Sequence, residues 1–167
     1  MFKTGEMVVY GGAGLCKIAG IEEREAAGNV SACYVLVPEE ATNTVIYVPK
    51  EGVVAQTRIR KVISGKELKE MISKSAPALW EENDRTRKKE YVRAINMADR
   101  EAVFSFVKSC GQRIKELEEA GKKLRKVDEY FLQDAEKLLY SEFKSVFKIE
   151  KKDVIPFILG ELEVSEL

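Results

Sequence analysis

The alternation of apolar and polar positions divides the chain in two. Up to about residue 63 the apolar runs are short, and Gly, Pro or Asn ends nearly every one. Met7–Tyr10 (MVVY) closes at Gly11-Gly12-Ala13-Gly14. Residues 15–21 then alternate, with Leu15, Lys17, Ala19 and Ile21 on one face and Cys16 and Ile18 on the other. Residues 22–29 read as a charged turn ending in Gly28-Asn29, and residues 32–37 (ACYVLV) as a β-branched, aromatic strand. Residues 38–43 break that strand. Residues 44–48 (TVIYV) resume it and stop at Pro49, and a last short strand is expected through Val53-Val54 or over residues 58–62. Strands punctuated roughly every 8–12 residues predict a small antiparallel barrel or rolled sheet.

From Ser64 the period lengthens. Ser64-Gly65-Lys66-Glu67 has the spacing of a capping box, in which hydroxyl and carboxylate each satisfy an orphan backbone N–H. Leu68, Met71 and Ile72 then give the stripe of a short helix. Residues 73–79 (SKSAPAL) contain Pro77 and small residues, so a linker is expected there. A second helix is predicted from near Trp80 or Asp84 to Met97. Asp99 is placed to cap a third, with Val103, Val107, Cys110, Ile114 and Leu117 recurring at alternating spacings of four and three. Residues 122–126 form a basic loop after Gly121. A fourth helix from about Asp128 carries Phe131, Ala135, Leu138, Leu139, Val146 and Phe147 inward, and residues 153–159 add a short terminal helix. The predicted fold is α+β: an antiparallel β module over residues 1–63, then an all-α bundle over residues 64–167. Residues 64–79 serve as the connecting helix and linker.

Composition narrows the chemistry. The 167 residues contain no His, which removes the commonest general base and the commonest zinc ligand. Three cysteines at 16, 33 and 110 form no CxxC, so neither a disulfide scaffold nor a zinc finger is expected, and a reducing compartment fits. No apolar run approaches the roughly 20 residues that span a bilayer, so a cytoplasmic protein is expected. Gly11-Gly12-Ala13-Gly14 lacks the GK[ST] of a phosphate loop and reads as a tight turn. Cys16 and Cys110 fall in apolar stretches and read as core residues. The adjacent pairs Glu81-Glu82 and Glu118-Glu119 cannot face each other across one helix side as acid and base. No enzyme, cofactor or metal is expected, and nothing resembles a long coiled coil, so a monomer is.

Charge is more informative in its distribution than in its sum. Lys plus Arg and Asp plus Glu both number 28, a net of zero. Residues 1–63 are balanced at seven each, whereas residues 85–126 hold thirteen basic against six acidic side chains, an excess of seven. The densest run, Arg85-Thr86-Arg87-Lys88-Lys89, begins five residues after Trp80, the one tryptophan. Cations beside an aromatic are what a surface that grips a phosphate backbone and inserts a wedge requires. A solvated helix face and a tryptophan anchoring two modules produce the same pattern, and the residues alone leave both readings open.

Several short motifs, taken in order, resemble the CarD/CdnL family of bacterial transcription regulators. The N-terminal ones are Phe2-Lys3, Gly5-Glu6, Val8-Val9-Tyr10, Gly14-Leu15-Cys16, Ile21-Glu22, Tyr34-Val35-Leu36 and Val48-Pro49. They are similar to that family's polymerase-interacting module, shared with the transcription-repair coupling factor. Trp80 with its basic helix, Gly121-Lys122-Lys123-Leu124, Asp128-Glu129 and residues 135–140 (AEKLLY) are similar to its helical domain. The resemblance implies a Tudor-like β domain docking on the RNA polymerase β subunit. It also implies a helical domain that stabilises the open promoter complex without reading sequence. Trp80 would then wedge into the minor groove at the upstream edge of the bubble, with Arg85, Arg87, Lys88, Lys89 and Arg113 on phosphates. Arg24, Tyr47, Val48 and Pro49 fall at the polymerase-contacting positions, where Tyr47 replaces a basic residue. An adaptor that binds polymerase or another partner without touching DNA is the alternative.

Overall fold

A computed structural model describes the backbone of residues 1–167 and all side chains but those of Ala55 and Gln56. The fold is α+β, a five-stranded antiparallel sheet followed by helices. The strands are β1 (Met7–Tyr10), β2 (Gly14–Ala26), β3 (Asn29–Pro38), β4 (Ile46–Pro49) and β5 (Ile59–Lys61), in the spatial order β4-β3-β2-β1-β5. One face of the sheet buries Val8, Cys16, Ile18, Tyr34, Leu36, Val48 and Ile59 as the β core. The opposite face carries Val9 and Leu15, which pack on Ala98 of the helical part. The two-faced alternation from Leu15 to Ile18 therefore divides one strand between the β core and the seam with the bundle.

Two expectations change. The charged stretch after Ile21 is strand rather than turn, because Ala27 and Gly28, with φ of 52° and 78°, close a two-residue hairpin. Positive φ at both central residues matches the right-handed twist of the flanking strands, so β2 and β3 stay paired out to Ala26 and Asn29. With both faces of this ribbon in water, its charges need no partners from the core. Val53-Val54 opens a short helix, α1 (Val53–Arg58), not a strand: Gly52 at φ 103° redirects the chain, and Thr57 Oγ1 donates to the Val53 carbonyl at 2.6 Å. The strand expected near residues 58–62 is β5.

The helices are α2 (Gly65–Lys74), α3 (Asp84–Asn96), α4 (Arg100–Glu119), α5 (Lys126–Val146) and α6 (Val154–Ile158), the last preceded by a 3-10 turn over Lys151–Asp153. Ser64 and Glu67 make the reciprocal capping box, and the Ser64 N–H bonding holds the Glu67 carboxyl below its usual range. Asn83 and Asp99 cap α3 and α4 by accepting from Thr86 N and Ala102 N. The bundle core centres on Phe104, Val107, Leu139 and Phe143, with Val103, Cys110, Phe131, Ala135 and Leu138 buried as the stripes predict. The cysteines are free and buried. Burial pushes the Cys16 thiol up to about 12 and that of Cys110 up to about 11, so neither is a thiolate near neutrality.

The glycine-rich turn between β1 and β2 is where sheet and bundle lock together. A Cβ on Gly11 would lie 1.6 Å from the Asn96 carbonyl oxygen, and one on Gly14 2.5 Å from Ser141 Oγ. The Leu15 N–H donates to that same Ser141 hydroxyl at 2.8 Å. Beside it, Arg100 donates from Nε to Glu142 Oε2 at 3.0 Å and from Nη2 to the Lys61 carbonyl at 2.7 Å. Glu142 is fully buried, so one guanidinium joins the last strand, α4 and α5. Lys144 and Glu40 add an ion pair across the same seam.

Replacing Gly11 by Ala is expected to cost about 2–3 kcal/mol by overpacking the seam. Gly20→Ala, where an added Cβ meets nothing within 4 Å, is expected to change stability by less than about 1 kcal/mol. Urea unfolding of the two variants beside the parent chain measures the difference.

Candidate nucleic-acid interface

The chain between α2 and α3 leaves Trp80 at the rim of the bundle. Its backbone is tied down on both sides. Lys108 Nζ donates to the Ser75 carbonyl at 2.7 Å and also to that of Ile72. Ala78 N donates to the Ser105 carbonyl at 3.2 Å, and Ser109 Oγ donates to the Ala78 carbonyl at 2.9 Å. Burial lowers the pKa of Lys108, a cost offset by the two carbonyls that accept from it. The peptide on the far side of Trp80 is held by Arg87, whose Nη1 donates to the Glu81 carbonyl at 2.8 Å.

Arg87 organises this corner. The residue is 3% exposed, and it binds Asp128 in bidentate fashion, Nε to Oδ1 at 2.7 Å and Nη2 to Oδ2 at 2.8 Å. Nη2 also reaches Asp84 Oδ1 at 2.9 Å, and Tyr91 OH donates to Asp128 Oδ1 at 2.7 Å. Burial alone would lower the Arg87 pKa. The hydrogen bonds of Asp128 and Asp84 outweigh it and raise the pKa further, so the guanidinium stays charged. Asp84 is held below the ordinary aspartate range, because bonds from Arg87 and Arg125 overcome its own desolvation. The guanidinium carbon of Arg87 sits 4.5 Å from the Trp80 ring centroid and that of Arg113 lies 5.4 Å from it. Two cations therefore grip one half-buried indole.

Arg87 is thus an interior residue of the corner, with four of its five N–H groups taken by carboxylates or a carbonyl. The reason is its helical phase: α3 turns Arg87, Tyr91 and Ala94 inward. Arg85, Lys88 and Lys89 are exposed. Lys88, however, lines a separate apolar groove between α3 and α5, with Val92 and Tyr130. Besides the interior Arg87, the cations that gather at Trp80 are Arg113 and a group outside the dense run. Lys122, Lys123 and Arg125 line, with Trp80 and Arg113, a cleft of about 160 Å³. Gly121, at φ 68°, ends α4 and turns this loop back toward the indole. The basic loop was visible in the sequence, but its approach to Trp80 depends on the α4–α5 turn. Glu82 also borders the cleft, and Glu81 Oε1 accepts from Asn83 N at 2.9 Å, which turns that carboxylate toward the start of α3.

The second candidate surface lies on the sheet. Arg24 projects from the exposed ribbon and places its guanidinium carbon 3.8 Å from the centroid of the Tyr47 ring, which is 40% exposed. Arg24 and Tyr47, 23 positions apart, thus form one cation–π unit on an open face. Pro49 is exposed on the same strand, β4. Val48 between them is 1% exposed in the β core, since alternate residues of a strand face opposite ways. It supports this surface from beneath.

Residues 2–63 match the family model of the CarD-like/TRCF RID domain. Over the residues of the sheet the chain is therefore similar to the CarD-like RID domain. That domain supports a transcription-related role of the RNA-polymerase-interacting kind. The match covers all five strands and ends just before the cap of α2, so Trp80 and the cationic cleft lie outside it. No curated protein matches the chain. Among the described residues no cluster of His, Cys, Asp or Glu could hold a metal ion, and no helix is long and apolar enough to cross a membrane.

Because Arg87 and Asp128 compensate one another in the interior, losing one partner strands the other. Asp128→Asn is expected to cost about 3–5 kcal/mol and to loosen Trp80. Chemical denaturation and a red shift of tryptophan emission measure the two effects. Arg87→Met combined with Asp128→Leu is expected to recover most of the stability without restoring the emission.

Proposed function

We propose that this chain is a non-enzymatic initiation factor. Its RID domain holds the RNA polymerase β subunit, and its bundle stabilises the open promoter complex at the upstream edge of the bubble. The observation that carries this reading is Trp80, gripped by Arg87 and Arg113 at the edge of a cationic cleft on a bundle locked to the RID domain. An aromatic edge in a distorted minor groove opposes re-annealing, while surrounding Arg and Lys neutralise phosphates without reading bases. In this reading the phosphate contacts are Arg113, Arg85 and Lys89, joined by Lys122, Lys123 and Arg125. Arg87 acts through the indole that it positions, and Lys88 stands apart on the α3–α5 groove.

Zero net charge is compatible with such a role because tethering supplies the encounter. Once the sheet is on polymerase, the bundle sits at high effective concentration beside the promoter, and weak intrinsic affinity suffices. The Arg24–Tyr47 unit and Pro49 form the polymerase contact in this account, an aromatic platform under a cation taking the place of a second basic side chain. The chain acts as a monomer in the cytoplasm, alongside the nucleoid.

Trp80→Ala is expected to shorten open-complex lifetime on a reconstituted bacterial polymerase while leaving polymerase affinity intact. An unchanged lifetime would remove the wedge. Arg24→Glu is expected to weaken binding to the isolated β lobe by at least tenfold, since it removes the cation–π pair and reverses a charge at the contact. Titration calorimetry or biolayer interferometry measures that affinity.

A further inference from the structure

The segment that carries Trp80 also presents a side chain that the fold does not use. Leu79 is 98% exposed, the most exposed large hydrophobic residue after Met1 among the described residues. Its exposure does not come from a loose backbone. The preceding residue is bonded on both sides to α4, Ala78 N to the Ser105 carbonyl and the Ala78 carbonyl to Ser109 Oγ. Two residues later Arg87 holds the Glu81 carbonyl. Burial alternates along this stretch: Ala78 and Trp80 are half-buried against the bundle, while Leu79 between them stands in water.

An apolar side chain on a pinned backbone has already lost most of the freedom that binding would remove. Its surroundings select the partner. The adjoining Trp80 walls the cleft whose lining cations, Arg113, Lys122, Lys123 and Arg125 beside the paired Arg87 and Asp128, outnumber Glu82, the one lining acid that Arg87 does not pair, so that the surface is complementary to a polyanion. A polyanion that also offers apolar surface to a leucine is a nucleic acid with an opened base step. We propose that Leu79 is a second apolar contact of this chain, entering the minor groove at the unstacked step beside Trp80. The proposal rests on the initiation reading given above and extends it to a residue that no comparison assigns. Trp80, held by two guanidinium groups, forms the rigid flank, and Leu79 is the side chain that reaches outward.

The test is open-complex lifetime with bacterial polymerase and promoter DNA, using the full chain, Leu79→Ser and Leu79→Met. Polymerase affinity and melting temperature are recorded for each. Leu79→Ser is expected to shorten the lifetime about three- to tenfold, with affinity and melting temperature unchanged. Leu79→Met is expected to retain most of the effect, because length and apolarity are kept. A parent-like lifetime for Leu79→Ser overturns the assignment and leaves the initiation reading intact. Weakened polymerase affinity in Leu79→Ser overturns it in favour of a protein contact. If the parent chain itself fails to lengthen the lifetime, the initiation reading falls and takes the assignment with it.

Discussion

The bidentate pair of Arg87 and Asp128 is the interaction on which the candidate site depends. It joins α3 to α5 in the interior, where each charge would be costly without the other. The same guanidinium lies against the Trp80 ring and holds the peptide that follows it. One side chain therefore couples the packing of two helices to the placement of an indole at the surface. Tyr91 extends the network by donating to Asp128, and its ring stacks on Phe131 at 4.1 Å, so the polar corner is continuous with the aromatic core. A surface tryptophan on a short irregular segment would ordinarily sample several positions. Here the segment is anchored to α3 and α4, and the tryptophan is preorganised.

Placement at the surface matters only if the bundle is fixed relative to the sheet. That condition is met by close backbone packing together with hydrogen bonds and ion pairs across the seam. The turn around Gly11 and Gly14 approaches α3 and α5 too closely for any side chain. The Arg100–Glu142 pair then closes the seam from the side, satisfying the Lys61 carbonyl at the end of the last strand. Arg24 and Tyr47 lie on the sheet and Trp80 on the bundle, joined through this seam. A protein that binds polymerase by one surface and presents an indole from the other needs such a rigid link, because slack would lower the effective concentration gained by tethering.

Much of this was legible in the sequence because it is local. The capping box at Ser64, the cap at Asp99, the stripe from Val103 to Cys110 and the strand runs all depend on neighbours within a turn or a pleat. What was not legible depends on partners far along the chain. Arg87 reads as one more cation in a basic run, and only Asp128, 41 positions on, makes it an interior residue. The Arg24–Tyr47 stack requires the register of three strands. The glycines of the first turn read as conformational punctuation, whereas Gly11 is required by a helix end 85 positions away. The hairpin at Ala27-Gly28 was hidden because its first arm, Glu22-Glu23-Arg24-Glu25, is charged on both faces, which removes the alternation by which a strand is recognised.

The central claim is that Trp80 meets promoter DNA when the RID domain is seated on polymerase. It is tested most directly by placing a photo-crosslinking amino acid at position 80 of the full chain and irradiating the assembled open complex. The account predicts a crosslink to promoter DNA confined to the upstream edge of the bubble, lost when Arg24→Glu is added. Crosslinks to polymerase subunits alone, or to DNA regardless of the Arg24 change, would contradict it.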